Sequence, residues 1–149
     1  MKYSKKLDYN TEDYSSLKIS ELKRIAEYWY RQNLLNITPQ NGRGEYFCPL
    51  VEQWLPKNKM QVAHFRDRNH NDTAFELDNT HLISETSNVW DAKIPQEGYK
   101  SKHHYDYEMW LRNKIGNKKV EELLCKPRNN HIFVRELYIK VIKEYRNAR

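Results

Sequence analysis

The chain has 149 residues, which is the length of a single domain with a modest hydrophobic core. Hydrophobic residues make up only 38% of it, and no apolar run approaches the length of a membrane span, which argues against a membrane protein. No apolar segment follows the charged residues near the N-terminus, so we predict no signal peptide. The two cysteines, Cys48 and Cys125, are too few for a disulfide framework and fit a reducing cytoplasm.

The excess of positive charge lies in the C-terminal third. The formal net charge is +6, from 26 Lys and Arg against 20 Asp and Glu. Residues 1–92 carry 12 basic and 13 acidic side chains, whereas residues 93–149 carry 14 basic and 7 acidic side chains. This asymmetry suggests a surface for a polyanionic partner, although a mildly basic surface can also serve solubility alone.

The N-terminal part of the sequence predicts a leader and then a helix. Residues 1–15 are polar and show no periodicity, which predicts a loose leader. The helix is predicted from Ser20, a residue suited to capping, to Leu35. Its apolar face is formed by Leu22, Ile25, Ala26 and Trp29.

Two short extended segments come next, Glu45–Leu50 and Lys59–Phe65, and a turn around Pro56 and Asn58 separates them. We predict that they pair as an antiparallel hairpin, whose second strand carries His64. After a polar loop, Ser84 is a good N-cap for a short helix that runs to about residue 93. The predicted order over residues 45–93 is therefore strand, strand, helix.

Residues 101–146 are predicted to be helical and basic. One apolar face is formed by Tyr107, Trp110, Leu111 and Ile115, and Gly116 is suited to end that helix. The next helix is predicted to be capped by Asn117, and the last to start near Asn130. The inner face of the helix after Asn117 is predicted to consist of Val120, Leu123 and Leu124. The inner face of the last helix is predicted to consist of Val134, Leu137, Tyr138, Val141, Ile142 and Tyr145.

Three side chains in the predicted strand–strand–helix region have the chemistry for phosphodiester hydrolysis. His64 can act as a general base near neutral pH. The amide oxygen of Asn88 is a ligand type that Mg²⁺ accepts, and Asn79 can hold the loop that positions His64. Each residue alone has a plainer interpretation: a packed histidine, a turn asparagine and a surface helix position. The spacing of all three favours the catalytic interpretation.

At these residues the sequence resembles the HNH branch of the His-Me finger endonucleases, and within it the phage NinG/Rap recombination nucleases. Those proteins carry Cys-x-x-Cys, then Gly-His-Tyr, then Asn-x-His-x-x-Cys-x-x-Cys-Asn, and later a Tyr-x-x-x-Leu-x-x-x-Ile-Gly helix. The corresponding segments here are 48–51 (CPLV), 63–65 (AHF), 79–88 (NTHLISETSN) and 107–116 (YEMWLRNKIG). The resemblance covers roughly residues 20–146, in the same order.

The sequence departs from this family at the zinc knuckle, at the residue before the histidine, and at Trp90, where a further His ligand often follows the asparagine. Three of the four zinc-knuckle positions are Val51, Ser84 and Ser87, which leaves Cys48 alone, so no structural zinc is expected. The acidic residue that often precedes the catalytic histidine is Ala63 here, which removes a usual metal ligand. The metal would then depend more on Asn88.

The resemblance implies an α+β fold, with a ββα-metal finger between an N-terminal helix and about three C-terminal helices, in one domain over residues 1–149. It implies a metal-dependent DNA endonuclease that uses Mg²⁺ or Mn²⁺ on double-stranded or branched DNA, in the cytoplasm of a bacterial host if the chain is of phage origin. His64 and Asn79 would be catalytic and Asn88 a metal ligand, with Asp67, His81 and Asp91 as further candidates. The candidate DNA-binding residues are Arg66, Arg68, Lys114, Lys118, Lys119, Arg135, Lys140, Lys143 and Arg146.

Two other functions stay open. A degenerate HNH finger can bind DNA without cutting it, and Ala63 together with the missing cysteines favours that alternative. The high aromatic content is compatible with a helical protein-interaction module. The sequence also leaves open whether the protein forms a homodimer.

Overall fold

The computed structural model describes residues 6–66, 74–87, 102–126 and 134–147. These ranges contain both helices and antiparallel strands, which confirms the α+β class. The helices are α1 (Ile19–Ile37), α2 (Lys102–Ile115), α3 (Asn117–Cys125) and α4 (Val134–Arg146). The strands are β1 (Tyr46–Cys48), β2 (Gln53–Leu55), β3 (Met60–His64) and β4 (Thr80–Ser84), and a short 3₁₀ turn covers Lys57–Lys59.

The chain divides into two compact units. Unit 1 comprises Met1–Asn33 and His131–Arg149, and unit 2 comprises Leu34–Asn130. The single domain expected over residues 1–149 stays a prediction. Among the helices in the described ranges, none combines the length and the hydropathy that a membrane crossing requires.

Unit 1 contains most of helix α1 and all of helix α4. The backbone N–H of Lys18 donates to the Glu21 carboxylate at 2.7 Å, so the helix begins at Ile19, one residue before the predicted cap at Ser20. The predicted apolar face of α1 is confirmed, because Leu22, Ile25, Ala26 and Trp29 are all buried. In α4 the buried residues are Tyr138, Val141 and Ile142. The predicted start near Asn130 lies outside the described residues.

Long side chains of α1 and α4 hold the N-terminal segment of unit 1, in contrast to the predicted loose leader. Their N–H groups donate to backbone carbonyls that lie in no strand or helix and need a partner. The bonds run from Trp29 Nε1 to Tyr9 O (2.8 Å), from Arg146 to Thr11 O (2.8 Å), and from Arg135 to Leu17 O (2.8 Å) and Tyr14 O.

The strands of unit 2 do not pair as predicted from the sequence. Strand β1 pairs with β2, and β3 pairs with β4 in a register that sets His64 opposite Thr80 and Ala63 opposite His81. The predicted pairing of 45–50 with 59–65 was therefore wrong. All five residues of β4 are buried, so this strand lacks the alternation of polar and apolar residues that marks a half-buried strand.

The predicted helix start at Ser84 is confirmed, because Ser84 Oγ accepts the N–H of Ser87 at 3.2 Å and residues 85–87 are helical. The extent of this helix to residue 93 lies outside the described residues. The predicted stop of α2 at Gly116 is also confirmed. Asn117 is the first residue of α3 rather than its cap, and Leu124 is exposed rather than part of the inner face.

Gly116 joins α2 to α3 with φ 92° and ψ 154°, a conformation that side chains with a Cβ rarely adopt. Gly116→Ala should therefore lower the free energy of unfolding by about 1–3 kcal/mol, although no atom lies within 4 Å of the added methyl group. Gly42→Ala is the matched control, because Gly42 is equally uncrowded and its φ is not positive. Urea denaturation midpoints measure both effects. Equal midpoints for the two variants would contradict the strain at Gly116.

Candidate functional site

His64 is the last residue of β3, and a backbone carbonyl determines which nitrogen of its ring carries the hydrogen. Its Nε2 lies 2.9 Å from the carbonyl oxygen of Ala74. A carbonyl oxygen only accepts hydrogen bonds, so we assign the hydrogen to Nε2. In the neutral ring, Nδ1 then carries the lone pair that can take up a proton. A fixed tautomer of this kind is what a general base requires.

Asn79 is completely buried and binds the backbone directly after His64. Its Oδ1 accepts the N–H of Arg66 at 2.7 Å, and its Nδ2 donates to the carbonyl of Arg66 at 3.0 Å. The backbone N–H of Phe65 also donates to the carbonyl of Asn79 at 2.8 Å. The side chain of Asn79 thus pairs with Arg66 as one more strand residue would, and the backbone carbonyl of Asn79 holds Phe65.

The two ends of the loop after His64 are tied to the end of helix α3. The guanidinium of Arg66 donates to the carbonyl of Leu123 at 2.6 Å, and Lys126 forms an ion pair with Glu76. Carbonyls in the last turn of a helix have no partner within the helix and carry partial negative charge, which suits a guanidinium. Arg66, predicted as a DNA contact, therefore has an internal role in the structure.

Cys48, Ser84 and Ser87 form one hydrogen-bonded cluster, which we call the Cys48 cluster. The backbone N–H of Ser84 donates to Cys48 Sγ at 3.2 Å, and Ser84 Oγ lies 2.9 Å from Ser87 Oγ. All three residues are buried. Val51 is partly exposed and lines a surface cleft together with Ser84. The structure thus brings together Cys48, Ser84 and Ser87, which are far apart in the sequence.

His81 lies on the other face of the β3–β4 pair from His64, since it is opposite Ala63 and side chains alternate along a strand. It is 6% exposed, and its Nδ1 is 2.6 Å from the hydroxyl of Tyr107. Burial, and to a lesser extent the charges of Lys114 and His64, lower the pKa of His81 to about 3. His81 is therefore a neutral, buried residue and not a partner of His64 on one face.

The structure describes only part of the predicted metal and DNA-binding set. Asn88, Asp67, Asp91 and Arg68 lie outside the described residues. Within the described ranges, no group of three His, Cys, Asp or Glu side chains could hold a metal ion. Arg135 and Arg146 hold the N-terminal segment of unit 1. The predicted DNA-binding residues with exposed side chains are Lys114, Lys118, Lys119, Lys140 and Lys143.

A cleft of about 370 Å³ in unit 2, which we call the His81 cleft, was not predicted from the sequence. It is lined by residues from the end of α1, from β1 and β4, and from α2, including His81, Trp110 and Lys114. These residues are far apart in the chain and share no motif, so no sequence signal marked the cleft.

No protein-family model matches this chain, and the comparisons with curated proteins and with solved structures likewise give no match.

The low pKa of His81 predicts a loss of stability in mild acid. Below its ordinary value of 6.5, the unfolded chain takes up a proton that the folded protein does not bind until about pH 3. The free energy of unfolding therefore falls as pH falls, by up to about 1.4 kcal/mol per unit. The loss attributable to His81 between pH 7 and pH 5 is about 2 kcal/mol.

Chemical denaturation of the wild type and of His81→Gln at both pH values isolates this contribution, because glutamine does not titrate. The variant should lose about 2 kcal/mol less than the wild type over that interval. If both proteins lose the same amount, His81 does not have the low pKa that its burial implies.

Proposed function

We propose that the protein is a metal-dependent DNA endonuclease of HNH type, in which β3, β4 and the helix that starts after Ser84 form a ββα finger. The observation that carries the proposal is the combination of His64, with its tautomer set by Ala74, and Asn79, with both amide groups bonded to Arg66. A base of fixed tautomer, at the end of a strand whose continuation is held in place, is the arrangement that activation of a water molecule requires.

The Cys48 cluster is a second, independent support for the finger. The resemblance to HNH nucleases assigns positions 48, 51, 84 and 87 to one metal knuckle, and these positions are up to 39 residues apart in the sequence. The convergence of Cys48, Ser84 and Ser87 in one hydrogen-bonded cluster is what that correspondence requires. Hydrogen bonds and apolar packing would hold the finger at the positions where the NinG/Rap nucleases carry the zinc-knuckle cysteines.

In the proposed mechanism, Nδ1 of His64 takes a proton from a water molecule, whose oxygen attacks the phosphorus while the bond to the leaving oxygen breaks. The Nε2–H bond to Ala74 keeps the ring oriented during this step. A bound Mg²⁺ or Mn²⁺ would stabilise the negative charge on the phosphate and the leaving oxygen. Asn88 would hold this ion, with Asp67 or Asp91 as further ligands, since amide and carboxylate oxygens suit a hard cation.

DNA would be held by the exposed lysines rather than by the arginines that bond internally. Lys118 and Lys119 lie in the first turn of α3, next to Lys114 at the end of α2, while Lys140 and Lys143 are exposed on α4. Such contacts to phosphate depend little on base sequence and weaken with salt.

A DNA-binding module without nuclease activity is the second candidate. Ala63, where HNH enzymes often carry an acidic metal ligand, is 2% exposed and lies opposite His81. A methyl group packed at this position offers the metal no ligand, which favours the alternative.

His64→Ala should reduce the rate of DNA cleavage by about a hundredfold to ten-thousandfold, because that is the usual contribution of a general base. His64→Gln should lose as much activity, although its amide keeps a donor for the carbonyl of Ala74. DNA affinity of both variants should stay near wild type, since the phosphate contacts lie elsewhere. Plasmid and branched DNA with Mg²⁺ or Mn²⁺ are the substrates to use.

A folded His64→Ala protein that cuts at the wild-type rate would disprove the role of His64. Wild-type protein that binds DNA but cuts neither substrate with either metal would favour the binding module.

The variant Val51→Cys/Ser84→Cys/Ser87→Cys should bind one zinc ion per chain, because Cys48 then has three thiolate neighbours at the positions of the knuckle. The wild type should contain no stoichiometric zinc. The matched control carries the same three changes and Cys48→Ser, which removes one ligand of four. Elemental analysis and the thiolate absorption of the Co²⁺ form measure the binding. Absence of metal in the triple variant would contradict the correspondence of these positions.

A further inference from the structure

The His81 cleft is a recess in unit 2 with mostly apolar walls. Leu34 and Ile37 of α1, Phe47 of β1, Leu82 of β4 and Trp110 of α2 contribute to the walls. The volume of about 370 Å³ falls at the lower end of the range for small-molecule sites. A flat ring could be accommodated there without rearrangement of the fold.

His81, which lines the cleft, has a buried ring nitrogen without a partner among the described residues. Nε2 of His81 has no hydrogen bond to any described residue, although the side chain is more than nine-tenths buried. A buried polar group without a partner is unfavourable and calls for an explanation. Because the imidazole is neutral at physiological pH, this nitrogen suits a neutral polar group of a ligand rather than an anion.

A cation lies beside the same cleft. The ammonium of Lys114 is 4.9 Å from the ring centre of Trp110, and both side chains line the cleft. Lys114 is exposed, so its charge is available to an anionic group that reaches the rim. The cleft therefore combines apolar walls for a ring, a neutral histidine whose Nε2 lacks a partner among the described residues, and a positive charge near the opening.

These three features match a nucleotide, which combines a flat base, neutral polar edges and a phosphate. We propose that the His81 cleft binds one unpaired nucleotide of the DNA substrate, with its base between the apolar walls, its polar edge toward His81 and its phosphate near Lys114. This inference rests on the proposed function and specifies the substrate class. A base within an intact duplex cannot enter such a cleft, so DNA with unpaired bases at a branch or fork would be preferred.

The first experiment measures binding of the four deoxynucleoside 5′-monophosphates by titration calorimetry, without metal and without cleavage. A monophosphate should bind in a saturable manner, the nucleoside without phosphate should bind about tenfold more weakly, and inorganic phosphate alone should show no saturation. If no monophosphate binds, or if inorganic phosphate binds equally well, the proposal is wrong.

Three variants locate the binding. Lys114→Gln should weaken monophosphate binding by about tenfold, because it removes the charge near the phosphate. Leu77→Trp should abolish binding, because Leu77 lines the cleft and is 45% exposed, so a larger side chain can fill the cleft without disturbing the core. Lys23→Gln is the control, since Lys23 is an exposed lysine of unit 1 and does not line the cleft. Wild-type affinity in Leu77→Trp would overturn the proposal.

The second experiment compares forked and fully paired DNA of equal length by fluorescence anisotropy. The wild type should prefer the fork, and Leu77→Trp should lose that preference while its affinity for the duplex stays unchanged. Equal preference in the two proteins would overturn the inference. Cleavage assays test the proposed function separately, because monophosphate binding does not depend on His64 or on a metal.

Discussion

The site depends above all on the two hydrogen bonds between the Asn79 amide and the backbone of Arg66. The β3–β4 ladder ends at the pair His64 and Thr80. Without the amide, Arg66 would lose the two bonds that extend the ladder beyond this pair. The Asn79 amide satisfies both the N–H and the C=O of Arg66, so the backbone after His64 has one conformation. The ring of His64 is then held against the carbonyl of Ala74.

Periodicity and local chemistry made several features of the fold predictable from the sequence. The apolar face of α1, the stop at Gly116 and the cap at Ser84 depend on a few neighbouring residues, and the structure has all three. Of the predicted inner face of α4, Tyr138, Val141 and Ile142 are buried. The strand partners were mispredicted because β4 is buried along its whole length, which leaves no alternating pattern. The His81 cleft could not be predicted either, since it depends on residues brought together only by tertiary packing.

The Cys48 cluster and His81 illustrate two ways to accommodate polar groups in a small core. In the cluster, each of the two serine hydroxyls has a partner, and the sulfur of Cys48 accepts a backbone N–H. At His81, one ring nitrogen is bonded to Tyr107 and the other is not bonded within the described residues. The first arrangement joins β1 to β4 through groups that satisfy one another, whereas the second leaves a ring nitrogen without a partner among the described residues.

The bonds from Arg135 and Arg146 to the segment before α1 affect how the chain folds during synthesis. These bonds join residues that are 118–136 positions apart, on either side of the segment that forms unit 2. All residues of unit 2 leave the ribosome before α4 does, so unit 2 can fold first. The N-terminal part of unit 1 can form its bonds to Arg135 and Arg146 only after α4 has been synthesised. Closing so long a loop slows this last step.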